Sequence, residues 1–147
     1  MPVEIRNHQR RVRLSLPRIK KAAEALLQAV GRSDAVLSLL LVDDRQMGRL
    51  HQQWMGDPLP TDVLSFSQDP PVKRRSKGGP PDVLGDIVIS AETAARRGPS
   101  AVGREIIRYL VHGVLHLAGH DHARPREKER MSREARRLAA AVSEIMF

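Results

Sequence analysis

Cysteine is absent from the 147-residue chain, and aromatic residues are scarce, with one tryptophan, one tyrosine and two phenylalanines. Without cysteine the chain forms neither a disulfide nor a thiolate metal site, which suits a reducing cytosol. With so few rings, stacking on nucleic-acid bases is expected to contribute little affinity. No run approaches the roughly 18 apolar residues of a membrane span, and the N-terminus carries no apolar signal core, so we expect a soluble, cytoplasmic protein.

Positive charge is plentiful: 25 lysines and arginines against 17 acidic residues give a formal net charge of +8. Such an excess favours a polyanionic partner, bound mainly through backbone phosphates and weakened steeply by salt. The length fits a single domain spanning residues 1–147. The basic residues cluster in four segments, namely Arg6–Arg13, Arg18–Lys21, Lys73–Lys77 and Arg124–Arg137.

Apolar spacing predicts a small α/β (α+β) domain in which helices flank a mixed four-stranded sheet. The predicted strands are Pro2–Asn7, Ala35–Val42, Asp62–Phe66 and Val83–Ser90. The predicted helices are Leu16–Val30, Asp44–Met55, Ala91–Arg97, Ser100–Ala118 with Ser100 as N-cap, and Arg124–Met146 with Met131, Leu138, Val142 and Ile145 on its inner side. The segment Gln68–Asp82, rich in proline, glycine and basic residues, is predicted to be a mobile loop.

The segment His112–His122 holds four of the six histidines. On a helix, residues four apart lie about 40° apart in rotation and roughly 6 Å apart in rise, so His112 and His116 project from one face as a pair of metal ligands. Gly119 can take the left-handed conformation that ends a helix, which lets His122 turn back towards that pair.

His120 also lies four residues after His116, but one straight helix would separate it from His112 by roughly 12 Å, too far for a shared zinc ion. We therefore predict that His112, His116 and His122 bind one Zn²⁺ per chain. Three protein ligands leave the fourth position open to water, which is typical of catalytic sites.

The histidine spacing matches that of the metzincin proteases, which carry a glutamate as general base directly after the first histidine. Here that position is Gly113, which cannot accept a proton from water. The sequence therefore argues against peptidase activity and indicates another substrate.

Three motifs in this order resemble the YbeY family of bacterial metal-dependent endoribonucleases: Pro60–Phe66 (PTDVLSF), Leu84–Ser90 (LGDIVIS) and the histidine segment His112–His122. The resemblance runs nearly from end to end. It implies a small mixed sheet with a zincin-like metal helix, zinc on the three histidines, and cleavage of single-stranded RNA. It also implies a role in 3′-end maturation of 16S ribosomal RNA and in ribosome quality control, with the small ribosomal subunit, a ribosomal protein and an assembly GTPase as partners.

Two positions depart from the family pattern, in which an asparagine and, four residues later, an arginine precede the PTD motif. Here those positions are His51 and Met55. A guanidinium binds a scissile phosphate through two hydrogen bonds, whereas a thioether does not. Either another basic residue, for example from Lys73–Lys77, reaches the phosphate, or this chain is a weaker nuclease.

No general base is identifiable from the sequence, so the catalytic group is left as a water on the zinc. By motif, Asp62, Asp86 and Asp121 are candidates for the substrate cleft or for supporting the metal ligands, although a turn-capping, loop-orienting or histidine-holding role is favoured for each. Thr61 and Ser65 offer hydroxyls to a phosphate or pack at a strand end.

Two further residue types are expected to be structural: His8 and His51 as ordinary histidines, and Trp54 as a core residue. The alternative to an enzyme is a noncatalytic, zinc-stabilised assembly factor that binds ribosomal RNA.

Overall fold

The computed structural model of the chain describes residues 3–56, 61–66, 83–119 and 125–146. All the strands and helices expected from the sequence are found there, and the bounds of α2, β4 and α3 agree residue for residue with the prediction. In chain order the elements are β1 (Val3–Asn7), α1 (Leu16–Ala29), β2 (Val36–Val42), α2 (Asp44–Met55), β3 (Val63–Phe66), β4 (Val83–Ser90), α3 (Ala91–Arg97), α4 (Val102–Leu117) and α5 (Pro125–Met146).

The strands form one mixed sheet in the order β1-β2-β4-β3. β1, β2 and β4 run parallel, and β3 pairs antiparallel with β4 at the edge. The predicted mixed four-stranded sheet flanked by helices is therefore confirmed.

The two faces of the sheet are covered unequally. α1, α4 and α5 pack together over one face and enclose the main core, where Leu26, Leu110 and Leu115 are fully buried. Burying each such side chain stabilises the fold by about 1.5–3 kcal/mol. The other face carries α2 over a smaller apolar cluster of Val42, Met47, Leu64 and Val88. Because α2 covers only part of that face, several strand side chains there stay accessible.

α5 buries Met131, Leu138 and Val142, as the sequence predicted, whereas the side chain of Ile145 lies outside the described residues. So does the predicted loop Gln68–Asp82. Across the part of the chain that is described, none of the helices combines the length and apolar character needed to traverse a lipid bilayer.

The predicted N-cap of α4 is wrong by one residue. The helix begins at Val102, and its cap position is Ala101, which has no side-chain cap. Ser100 lies earlier, in a turn closed by the Ala101 amide donating to the Gly98 carbonyl at 3.0 Å. This turn places the serine before the cap position, where its hydroxyl is not used by the helix.

Candidate metal centre and substrate cleft

His112 and His116 lie one turn apart on the exposed side of α4, as their spacing predicts. Their ring centroids are 6.4 Å apart and the ring planes are inclined by 12°. The opposite side of the helix is apolar and buried, so the fold fixes which face the two imidazoles occupy. α4 therefore presents two nitrogen donors side by side at the surface.

Gly113, between the two histidines, faces the sheet. A Cβ atom there would lie 2.9 Å from Cδ1 of Ile87, closer than real Cβ contacts allow. The absence of a side chain lets α4 pack directly on β4 and sets the height of the histidines above the sheet.

α4 ends as predicted, just before Gly119. The amides of Ala118 and Gly119 donate to the carbonyls of Val114 and His116, and Gly119 has a φ of 101°. A positive φ is easy only for glycine and turns the chain off the helix axis. His120, Asp121 and His122 lie outside the described residues, so the third ligand and the role of Asp121 remain predictions. Among residues 3–56, 61–66, 83–119 and 125–146, no group of three potential ligands comes together.

The donor set that is described fits a borderline metal ion such as zinc. Imidazole nitrogens suit zinc well, and the chain has no cysteine that would favour a softer ion. Both rings are exposed and lie in a cavity, so an ion and a substrate reach them from solvent.

The two histidines line a cleft of about 470 Å³. One wall is α4, the other is β3 with the preceding Asp62, and α5 contributes Ala135. Met55, at the end of α2, completes the rim and is 56% exposed. The structure thus brings Met55, Asp62 and Ser65 together with the histidine pair, although no family arginine stands at position 55.

Arg108 is the cleft residue that sequence reasoning missed. It lies four residues before His112, so it extends the histidine stripe by one turn, and its side chain is 75% exposed. Its ion pair with Glu105 is long, at 3.6 Å. The signal was available, because the rule that paired His112 with His116 also pairs Arg108 with His112.

Asp62 is held by several contacts at the start of β3. Its carboxylate accepts from the Val63 amide at 2.7 Å and from Nη1 of Arg97 at 2.7 Å. The Thr61 hydroxyl donates to it at 3.4 Å. The hydrogen bond that Arg97 donates to Asp62 is the largest cause that raises the pKa of Arg97 above its usual value. These contacts support the structural reading of Asp62 and also orient Thr61.

Tyr109 follows Arg108 along α4 and lines the same cleft. Its hydroxyl oxygen is buried and has no hydrogen-bond partner among the described residues, and this burial is the largest cause that raises its pKa above the usual value. The phenol therefore stays in its protonated form at neutral pH.

Asp86 is not in this cleft. Side chains alternate along β4, so Ile87 faces α4 whereas Asp86 lies on the opposite face of the sheet. There it lines a second groove of about 570 Å³ together with Phe66 and Trp54. Trp54 is 61% exposed, so its expected place in the core is wrong. It occupies the last turn of α2, beyond the part of the helix that packs on the sheet.

Comparisons with known proteins agree on one family. The family model described as Endoribonuclease YbeY matches residues 4–143. The chain is 45% identical over 144 residues to Endoribonuclease YbeY of Anaeromyxobacter sp. (strain Fw109-5), covering 96% of this chain and 72% of that protein. It is 36% identical to Endoribonuclease YbeY of Geobacter metallireducens over 148 residues, covering 99% and 93% of the two chains.

The share of each relative that the chain covers varies. The match to Endoribonuclease YbeY of Anaeromyxobacter dehalogenans spans 63% of that protein's length at 46% identity. A solution structure of a Thermotoga maritima protein shares the fold, with a TM-score of 0.62 and 23% identity over 95% of this chain and 88% of that one.

Proposed function

Because this chain belongs to the YbeY endoribonuclease family, we propose that it is a zinc-dependent endoribonuclease that cuts single-stranded RNA. The observation that carries the proposal is the cleft in which two imidazoles one turn apart lie beside an exposed arginine. This combination offers metal ligands and a phosphate-binding cation within one cavity.

His112, His116 and His122 would hold the zinc ion. When bound, zinc would supply a Lewis acid for the phosphodiester and lower the pKa of a water molecule. The two described histidines already face the cavity, and Gly119 allows the chain to return towards them.

Arg108 would bind the scissile phosphate in place of the arginine that is absent at position 55. A guanidinium offers five N–H donors in a planar fork, which matches two phosphate oxygens at once. Arg108 lines the cavity, and among the described residues its ion pair is the long contact to Glu105, so donors of its guanidinium are available for a ligand. Ser65 adds a hydroxyl group on the facing wall.

The biological setting follows from the family and from charge. We propose that the target is the 3′ end of 16S ribosomal RNA during maturation and ribosome quality control in the cytoplasm. The small ribosomal subunit, a ribosomal protein and an assembly GTPase would be the partners. The net charge of +8 supports a polyanionic substrate.

The test compares wild type, His116→Ala and His51→Ala, each purified identically, loaded with zinc and assayed for metal content and for cleavage of a single-stranded RNA. We expect His116→Ala to lose metal and cleavage together while remaining folded by circular dichroism. His51 lies on α2 and does not line the cleft, so its variant should keep both. Cleavage retained in metal-free His116→Ala would contradict the proposal.

The second candidate is a noncatalytic assembly factor that uses zinc for stability. It is favoured by the contact of Asp62, the described carboxylate of the cleft, which is bound by Arg97. RNA binding that is sensitive to salt and survives chelation, with no cleavage by zinc-loaded wild type, would establish this alternative.

A further inference from the structure

The second groove lies on the sheet face that α2 leaves uncovered, across the sheet from the histidines. Its floor includes Ser38, Leu40 and Asp86, and its wall is formed by Trp54 and Phe66. The centroids of the two rings are 5.7 Å apart and their planes are inclined by 59°. Half of the chain's four aromatic residues thus meet at one accessible place.

The two rings differ in how firmly they are held. Phe66 packs on the small apolar cluster around Met47 and Val88, which fixes its position. The Trp54 ring contacts the Phe66 ring, but 61% of the Trp54 surface is exposed. An indole that is supported at one side and open on its face is suited to stacking against a flat, apolar ring from outside.

This groove and the histidine cleft are bordered by the same two elements. Trp54 and Met55 are consecutive on α2, and Trp54 lines the groove while Met55 lines the cleft. Phe66 and Ser65 are consecutive on β3 and point to opposite faces of the sheet, so Phe66 lines the groove and Ser65 lines the cleft. Because β3 is an edge strand of the sheet, it forms the boundary between the two cavities. A strand lying in the cleft would reach the groove by passing around this edge.

Asp86 adds a polar group next to the rings. It is the direct partner of Phe66 in the antiparallel ladder, so the two side chains are about 4.5–5.5 Å apart at Cβ. Asp86 is exposed, and its carboxyl oxygens offer hydrogen-bond acceptors. Adenine, cytosine and guanine carry an amino group that donates to such an acceptor, whereas uracil presents carbonyl oxygens on either side of its N–H.

We infer that Trp54, Phe66 and Asp86 form a nucleobase-binding subsite for the RNA strand whose backbone occupies the histidine cleft, with preference for bases that carry an amino group. The inference rests on the proposed RNA substrate. Arg6 on β1 lines the same groove and supplies a cation for the adjoining phosphate. Stacking thus contributes locally, although the composition alone argued for little of it.

Trp54 is the only tryptophan, so its fluorescence reports directly on the subsite. The experiment titrates His116→Ala, and separately wild type in chelator, with short oligo(A), oligo(C) and oligo(U) RNAs at low salt, and follows both quenching and anisotropy of a labelled RNA. We expect oligo(A) and oligo(C) to quench Trp54 and to bind more tightly than oligo(U).

Three variants sharpen the result. Trp54→Leu should weaken RNA binding by about tenfold, and Trp54→Tyr, which keeps an aromatic face, should restore most of it. Asp86→Asn, which can donate as well as accept, should abolish the preference against oligo(U). Because Trp54 is largely exposed and Asp86 faces solvent, these changes should leave the unfolding midpoint unchanged.

The outcomes separate this inference from the proposed function. RNA that binds or is cleaved without quenching Trp54, and with equal affinity for Trp54→Leu, would overturn the subsite and leave the nuclease proposal standing. No RNA binding by these metal-free proteins, together with no cleavage by zinc-loaded wild type, would remove both. Quenching by a lysine- and arginine-rich peptide but not by RNA would overturn the subsite in favour of a protein-docking groove.

Discussion

Under the proposed function, Arg108 is the residue that binds the phosphate, because Met55 stands in the place of the family's arginine. We predict that Arg108→Ala lowers kcat/KM for RNA cleavage by about 10- to 100-fold without loss of zinc, because a hydrogen-bonded cation contributes about 1.5–3 kcal/mol. Arg108→Lys should recover only part of the loss, since an ammonium group cannot form the two parallel bonds. Steady-state cleavage and metal analysis of each variant measure this.

Two controls make the Arg108 result specific. Arg104→Ala removes the same charge from α4 one turn earlier, where the side chain does not line the cleft, and should change cleavage little. Met55→Arg places a guanidinium on the facing rim and should restore activity to Arg108→Ala. An Arg108→Ala variant with wild-type cleavage would show that the phosphate is bound elsewhere.

At the residue scale, the histidine pair could be predicted because helical spacing alone decides which side chains share a face. Trp54 could not, since its exposure follows from where α2 stops packing on the sheet, a property of two elements together. The location of Asp86 depends in the same way on the pairing of β4, where alternation assigns it to the face opposite Ile87.

At the element scale, the junction of α2 and α3 is joined by one carboxylate. Asp44, the first residue of α2, accepts hydrogen bonds from the hydroxyls of Ser90 and Thr93 and from Arg96. Burial by itself would raise the pKa of Asp44, but these hydrogen bonds and the charge of Arg96 outweigh it and lower the pKa below its usual value. The contacts tie the C-terminal end of β4 to the start of α2.

Because the pKa of Asp44 is lowered in the folded state, the unfolding free energy depends on pH. A carboxyl with a lowered pKa in the folded state stabilises the protein above its ordinary pKa of 3.8, and this contribution is lost as the pH falls through the lower, folded-state value. We predict that Asp44→Asn costs about 1–2 kcal/mol of unfolding free energy near neutral pH, and much less at about pH 3. Urea unfolding at both pH values measures the difference.

The control is Asp34→Asn, an exposed site, which should change the unfolding free energy little at either pH. An equal cost of Asp44→Asn at the two pH values would refute the role assigned to Asp44.

The presence of every strand and helix could be predicted, because each carries its own apolar pattern. The start of α2 is also marked by the capping box of Asp43 and Gln46. Ser100 shows where this fails. A serine before an apolar run is a good N-cap only if the backbone reaches the cap geometry there, and the turn after Gly98 delays it to Ala101.

At the scale of the whole molecule, charge governs how firmly RNA is held. α5 borders the cleft through Ala135 and has exposed cations on its outer side, among them Arg133 and Arg136. For single-stranded nucleic acid, the slope of log K against log salt changes by about 0.7 per phosphate contact. We predict that Arg133→Ala with Arg136→Ala reduces the magnitude of that slope by about 1.4, in titrations with labelled RNA at several salt concentrations.

The matched control also removes two positive charges, but from a helix that does not border the cleft. Arg18→Ala with Lys21→Ala removes two exposed cations from α1, which contributes no residue to the cleft. Its slope should stay near that of wild type. Equal slopes for both double variants would mean that net charge, rather than the position of α5, sets the interaction.

The position of α2 and β3 between the two cavities has a consequence for how this chain tolerates changes in length. Deleting one residue from the last turn of α2 would rotate the side chains after it by about 100°, and slipping β3 by one position would exchange Ser65 with Phe66 between the two faces of the sheet. The register of α2 and that of β3 are therefore both fixed by the side chains that each must place in the two cavities. A shift of register within either element would therefore put a hydroxyl where a ring belongs and a ring beside the histidines.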